Sequence, residues 1–218
     1  MPTDIPSGLD HLDMVSTISS MTRRATRSKL GKHEADALMI GTSLSAFYQA
    51  ATCHRKCHGG GHVLEALTGR MYNLASAAYV LILQGFYDEA LNLTRSIGEI
   101  SNLIALSVVD KHALRQWLSA DTNTRIREFS PARVRCLLEK SGDIPVLCDQ
   151  SWYSEFCEQY THVNPGTRPN MHNELSQAYV GSVFQSEGLR KALGELATVV
   201  GMTAMLICQY FKFDDMFT

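Results

Sequence analysis

Residues 88–109 read DEALNLTRSIGEISNLIALSVV, in which Asp88, Asn92, Arg95, Glu99 and Asn102 stand at offsets of 0, 4, 7, 11 and 14. On a helix of 3.6 residues per turn these five polar side chains form one stripe. The opposite flank carries Leu93, Ile97, Ile100, Ile104 and Val108 at core spacing, so protein is expected to cover both sides of this helix. A covered arginine and glutamate need partners or a chemical task, because an unpaired charge away from water is costly. That requirement constrains the fold more than any other segment does.

The rest of the chain repeats the helical period. Residues 33–58 place Ala37, Ile40, Leu44, Phe47 and Ala51 on one face, and Gly59, Gly60 and Gly61 are read as the stop. Residues 62–84 line up Leu64, Leu67, Met71, Leu74, Ala78 and Leu81, with Gly85 as the breaker. The connection through Phe86 and Tyr87 is short, which predicts that the next helix folds back against this one and sets the polar stripe beside Glu65, Tyr72, Asn73 and Ser76. A short helix is expected from Asp110 through Leu118, and another from Ser130-Pro131 to Ser141-Gly142, since serine caps a helix start and proline suits its first position. Residues 151–163 read as amphipathic up to the Asn164-Pro165-Gly166 break, residues 167–173 as a loop, and residues 187–211 as a long closing helix. No run alternates long enough to claim a strand. The expectation is an all-α fold: an N-terminal segment, residues 1–32, partly helical with a basic stretch, followed by a single antiparallel helical bundle over residues 33–218.

Composition narrows the function classes. Lys plus Arg number 20 against 22 Asp plus Glu in 218 residues, so the whole chain lacks the basic surplus of a general nucleic-acid binder. Arg23, Arg24, Arg27, Lys29 and Lys32 still form a local basic stretch with no acid among them. The first residues, MPTDIPSGLDHLDM, show neither the basic start nor the apolar run of a secretory signal. The apolar stretch 197–211 is shorter than the ~20 residues of a membrane span. Six scattered cysteines are read as reduced thiols. Together these features predict a cytoplasmic protein with no membrane partner.

Three segments offer chemistry. Arg95 and Glu99 are an i, i+4 pair in the order that strengthens an isolated helix least, which favours register fixing or ligand binding over surface support. Tyr160-Thr161-His162-Val163-Asn164-Pro165 ends a helix in a histidine, a proton carrier near neutral pH that Tyr160 and Asn164 could orient. Cys53-His54-Arg55-Lys56-Cys57-His58-Gly59-Gly60-Gly61-His62 places pairs of metal ligands one helical turn apart. The paired CxxC knuckles of structural zinc sites are missing, however, and no metal or other cofactor is assigned. The same segment also reads as a glycine-flexed anion loop in which Arg55, Lys56 and the backbone N–H groups at the start of the next helix receive a phosphate. Phosphate-loop, dinucleotide, nucleophile-elbow and HExxH motifs are absent.

The run from Gly85 to Glu99, followed by Tyr160-Thr161-His162-Val163-Asn164-Pro165, is similar to a bacterial all-helical family of unknown function with an Arg-Ser-x-x-Glu helix and a His-x-Asn-Pro turn. Members of that family resemble HEPN domains, and the similarity spans roughly residues 60–180. It implies a HEPN-like helical bundle, a homodimer, and RNA-directed activity as a metal-independent ribonuclease in a toxin–antitoxin or antiviral defence setting. In HEPN nucleases an arginine precedes a histidine by four to six intervening residues; Arg55 and His62 have that spacing but lie outside the matched motifs. The resemblance implies catalytic roles for Arg95, Glu99 and His162, with Tyr160 and Asn164 beside them; read from the anion loop and the polar stripe, Arg55, Lys56, His62, Asn92 and Asn102 are the expected substrate contacts. The alternative expectation is a noncatalytic helical module that binds a partner protein. A catalytic site would gather Arg95, Glu99 and His162 around one open cleft, whereas a scaffold would seal them in mutual hydrogen bonds.

Overall fold

In a computed structural model, which describes residues 5–54, 57 and 61–212, the chain is a helical bundle with no strand among the described residues. Its helices are α1 (Gly8–Arg27), α2 (Glu34–Ala51), α3 (Val63–Leu83), α4 (Tyr87–Val109), α5 (Ala113–Ser119), α6 (Thr122–Phe129), α7 (Pro131–Ser141), α8 (Gln150–Phe156) and α9 (Ser186–Phe211). A 3-10 turn, Leu30–His33, precedes α2, and a wide π-type turn, Cys157–Thr161, extends α8. Helices α2, α3, α4 and α9 pack on one another as the central group. Their buried side chains include Ile40, Phe47, Met71, Ile97, Leu193 and Val200, expected from the helical period, together with Ile82 and Leu91, which are not among the expected core positions. A smaller apolar cluster joins the end of α4 to α5 and α7 through Leu106, Ala113, Val134 and Leu138.

Helix α4 lies at the centre because it is covered on both sides, as its two-faced sequence demands. Its apolar residues meet α3 and α9. Its polar stripe, expected to face α3, instead meets the stretch from Cys148 to His172. The bundle leaves that side of α4 open to a later segment. Gly98 permits the approach, since a Cβ there would lie 2.8 Å from Cys148 Sγ and from the Trp152 ring.

Local signals explain most boundaries. Asp121 and Asp149 cap α6 and α8, accepting from the backbone N–H groups of Thr124 at 2.7 Å and Trp152 at 2.8 Å. Gly142 closes α7 in the left-handed conformation, φ 66°. One boundary departs from expectation, and one helix was not expected. The helix read over residues 33–58 stops at Ala51, because Cys53 leaves the helical region at φ 53°; residues 55, 56 and 58 of that span lie outside the described residues. Helix α6 is a short helix that the apolar spacing did not announce, its residues being exposed or half-buried.

Between the π-type turn and α9, residues 162–185 cross the molecule without regular structure. They are anchored at the α3–α4 turn. Ser182 donates to Gln84 O at 2.6 Å, and Gly85, at φ 76°, leaves no room for a Cβ against Val183 O. Helix α9, Ser186–Phe211, matches the closing helix read over 187–211; over Ser186–Tyr210 it has the length and apolarity to cross a membrane, and 61% of its most apolar window is buried in the bundle.

Candidate active site: a cleft at the end of the polar stripe

Every member of the α4 stripe bonds to the segment that covers it. From the C-terminal end, Asn102 grips the backbone of Cys148 in both directions, donating to its carbonyl at 2.7 Å and accepting from its N–H at 3.2 Å. Asn102 is 4% exposed, so this is a buried clasp rather than a substrate contact. One turn earlier, Arg95 Nη2 donates to Glu99 Oε1 at 2.8 Å and to the Tyr153 hydroxyl, while Arg95 Nε donates to Cys157 Sγ at 3.2 Å. The Tyr153 hydroxyl donates to Glu99 Oε1 at 2.9 Å. The guanidiniums of Arg95 and Arg135 lie 4.7 and 4.2 Å from the Tyr153 ring centre.

Charges respond accordingly. Burial works against the Arg95 cation, but its bond to Cys157 and the charge of Glu99 outweigh that and raise its pKa. Burial and the neighbouring Glu99 push Tyr153 up to about 12, so it stays a neutral donor at ordinary pH. The Arg95–Glu99 network therefore closes on itself. Asn92 continues the zipper by accepting from the Thr161 hydroxyl at 3.1 Å.

The N-terminal end of the stripe differs. His172 Nε2 lies 2.7 Å from Asp88 Oδ1, and since a carboxylate only accepts, Nε2 carries the proton of this bond and Nδ1 is the ring nitrogen left outside it. Asp88 is fixed in turn by the backbone N–H of Asn170 at 2.7 Å. The Tyr87 ring meets His172 edge-on, and Tyr160 stacks on it with 6.2 Å between ring centres. This pair borders a cleft of about 440 Å³ whose wall includes Asp88, Tyr160, Asn164, Arg168, His172 and Lys191. Burial raises the Tyr160 pKa. Burial opposes the Lys191 charge, but Glu155, which accepts from Nζ at 2.8 Å, and Tyr160 raise its pKa. An imidazole held by a carboxylate beside two cations can move a proton and receive an anion.

The expected site residues are thus divided. Tyr160 and Asn164 line the cleft; Arg95, Glu99, Asn92 and Asn102 form the clasp network and are not among its wall residues. His162 is exposed, and its side chain enters no hydrogen bond or ion pair among the described residues. Its backbone N–H caps the π-type turn at Cys157 O. His62 sits with Cys53, Cys57 and Glu65 rather than on the cleft wall. Arg55 and Lys56 lie outside the described residues.

Sequence reasoning passed over His172, Arg168 and Lys191, and counted Asp88 in the stripe without giving it a role. The available signal was the unpaired acid at the head of the stripe, which requires a partner from a distant polar loop such as 167–173. No family model, curated protein or solved structure matches this chain.

Proposed function

We propose that this protein is a HEPN-like antiparallel bundle acting on an RNA phosphodiester, in the toxin or antiphage setting implied by the sequence resemblance. In this reading His172 takes the role expected of His162. The observation that carries it is the 2.7 Å bond between Asp88 and His172 at the edge of a 440 Å³ cleft that also holds Arg168 and Lys191. His172 Nδ1 removes the proton of a ribose 2'-hydroxyl, whose oxygen attacks the adjacent phosphorus. Arg168 and Lys191 offset the charge that builds on the phosphoryl oxygens, and the departing 5'-oxygen takes a proton from solvent. The products are a 2',3'-cyclic phosphate and a 5'-hydroxyl. Arg95 and Glu99 act here as positioning residues, because they hold the turn that presents Tyr160 and Asn164.

The test is cleavage of mixed single-stranded RNA, and growth inhibition on expression, by wild type and by His172→Ala, Asp88→Asn and Arg168→Ala. A loss of about 10²-fold or more in His172→Ala, with helicity and melting temperature retained, is expected. Unchanged cleavage in a folded His172→Ala protein, or no cleavage by wild type, overturns the reading.

A second reading has its own observation. Helix α1 exposes Leu9, Leu12 and Met21, at 78, 62 and 57%, and touches the bundle mainly through α3. An apolar helix face of this kind fits a protein-binding module, either a homodimer or a complex with a partner protein. A monomeric mass for wild type in solution, unchanged in Leu9→Glu, counts against the homodimer.

A further inference from the structure

The connection between α2 and α3 gathers four metal-ligating side chains of matched chemistry. Cys53 Sγ, Cys57 Sγ, His62 Nδ1 and a carboxylate oxygen of Glu65 all lie within 4.8 Å of one another. The separations are 3.7 Å from Cys53 to His62, 3.9 Å from Cys57 to His62, 3.9 Å from Cys53 to Glu65 Oε1, and 3.6 Å from His62 to Glu65 Oε1. Around zinc, with Zn–S of about 2.3 Å and Zn–N or Zn–O of about 2.0–2.1 Å, a tetrahedron has S–N and S–O edges of about 3.6 Å and an N–O edge of about 3.3 Å. The four separations exceed those edges by no more than about 0.3 Å, the contraction expected when a metal draws its ligands in.

The backbone is bent to bring these groups together. Cys53, just after α2, and His62, just before α3, both adopt left-handed angles, φ 53° and φ 56°, uncommon for residues with side chains. Glu65 stands in the first turn of α3 and is 4% exposed, with two thiols and an imidazole around it. Cys53 and Cys57 are free thiols rather than a disulfide. Thiolate and imidazole ligands select zinc over magnesium or calcium.

We propose that Cys53, Cys57, His62 and Glu65 bind one zinc ion that staples the end of α2 to the start of α3. Four protein donors complete the tetrahedron, so the site is structural and holds no water for chemistry. Binding replaces the two thiol protons, which leave to solvent, and the thiolates and carboxylate together offset the ion's charge. The site is independent of the cleft reading.

The full chain, purified under reducing conditions and stripped with a chelator, is titrated with zinc and, separately, with cobalt(II). One zinc per chain is expected by elemental analysis, with thiolate-to-cobalt charge-transfer bands and the visible bands of tetrahedral cobalt. Alkylation of Cys53 and Cys57 should slow at least tenfold with zinc while that of Cys136 stays constant. Cys53→Ser and Cys57→Ser should each lose the charge-transfer intensity of one thiolate, and the double variant should retain no metal. Absence of a cobalt–thiolate band in the folded wild-type protein, alkylation indifferent to zinc, or a Cys53–Cys57 disulfide persisting in reductant overturns the proposal; these wild-type readouts decide even where a variant fails to fold.

Discussion

The two ends of the α4 stripe begin from similar residues and finish differently. At Arg95 and Glu99 the covering segment supplies Tyr153 and Cys157, which tie Arg95 Nε and Nη2 and Glu99 Oε1 into one network. At Asp88 it supplies a histidine and a backbone N–H, then turns away and leaves a cleft beside them. An ionic group on a helix becomes scaffold or site according to how completely the facing element fills the space around it. A closed network fixes register; an incompletely covered pair keeps capacity to bind and to exchange protons.

The strongest way to break this contrast is Arg95→Ala, which strands Glu99 and Tyr153 beneath the covering segment. A loss of about 2–4 kcal/mol, read as a fall of roughly 5–10 °C in melting temperature, is expected by calorimetry. A shift below about 1 °C would show that the network is not a clasp. Next, Gly98→Ala puts a methyl group against Cys148 and Trp152. The gain in helix propensity recovers part of the clash, leaving a net loss of about 1–2 kcal/mol in urea unfolding.

Alkaline pH sharpens the comparison further. The folded-state pKa values of Tyr153 and Cys148 are both raised to about 12, from ordinary values of 10.0 and 9.0, chiefly by burial. Both groups are neutral when protonated, so their contribution to stability is complete below the unfolded-state values and is lost as pH rises from about 9 toward 12. Melting temperature should fall across that window, and Tyr153→Phe should fall less steeply. The smallest effect is expected of His162→Ala, which should change stability by less than about 0.5 kcal/mol and leave any RNA cleavage intact. Lost cleavage in that variant would return the catalytic role to the His-x-Asn-Pro turn.

Much of the architecture is legible in residue order. The 3.6-residue period marks α3, α4 and α9 within a few residues, and Ser130-Pro131 and Gly142 bracket α7, because these signals act over one or two turns of backbone. The end of α2 is less legible: no breaker stands between Ala51 and the triple glycine in residue order, yet Cys53 adopts a left-handed conformation and the helix ends at Ala51. The candidate site was half legible. Tyr160, Asn164 and the demand for partners along α4 were visible, but His162 and His172 are equally plausible proton carriers when judged by type and neighbourhood alone.

Residue order dictated that the chain is helical, that α4 must be covered on both flanks, and that its polar stripe would need partners, since period and burial cost follow from local chemistry. Which histidine meets Asp88, which side of α4 receives residues 148–172, and how Cys53 comes to stand beside His62 and Glu65 were settled by packing. Those pairings join residues far apart along the chain or across a turn, where loop path and steric fit, including the space left at Gly98, select one partner among several of equal chemistry.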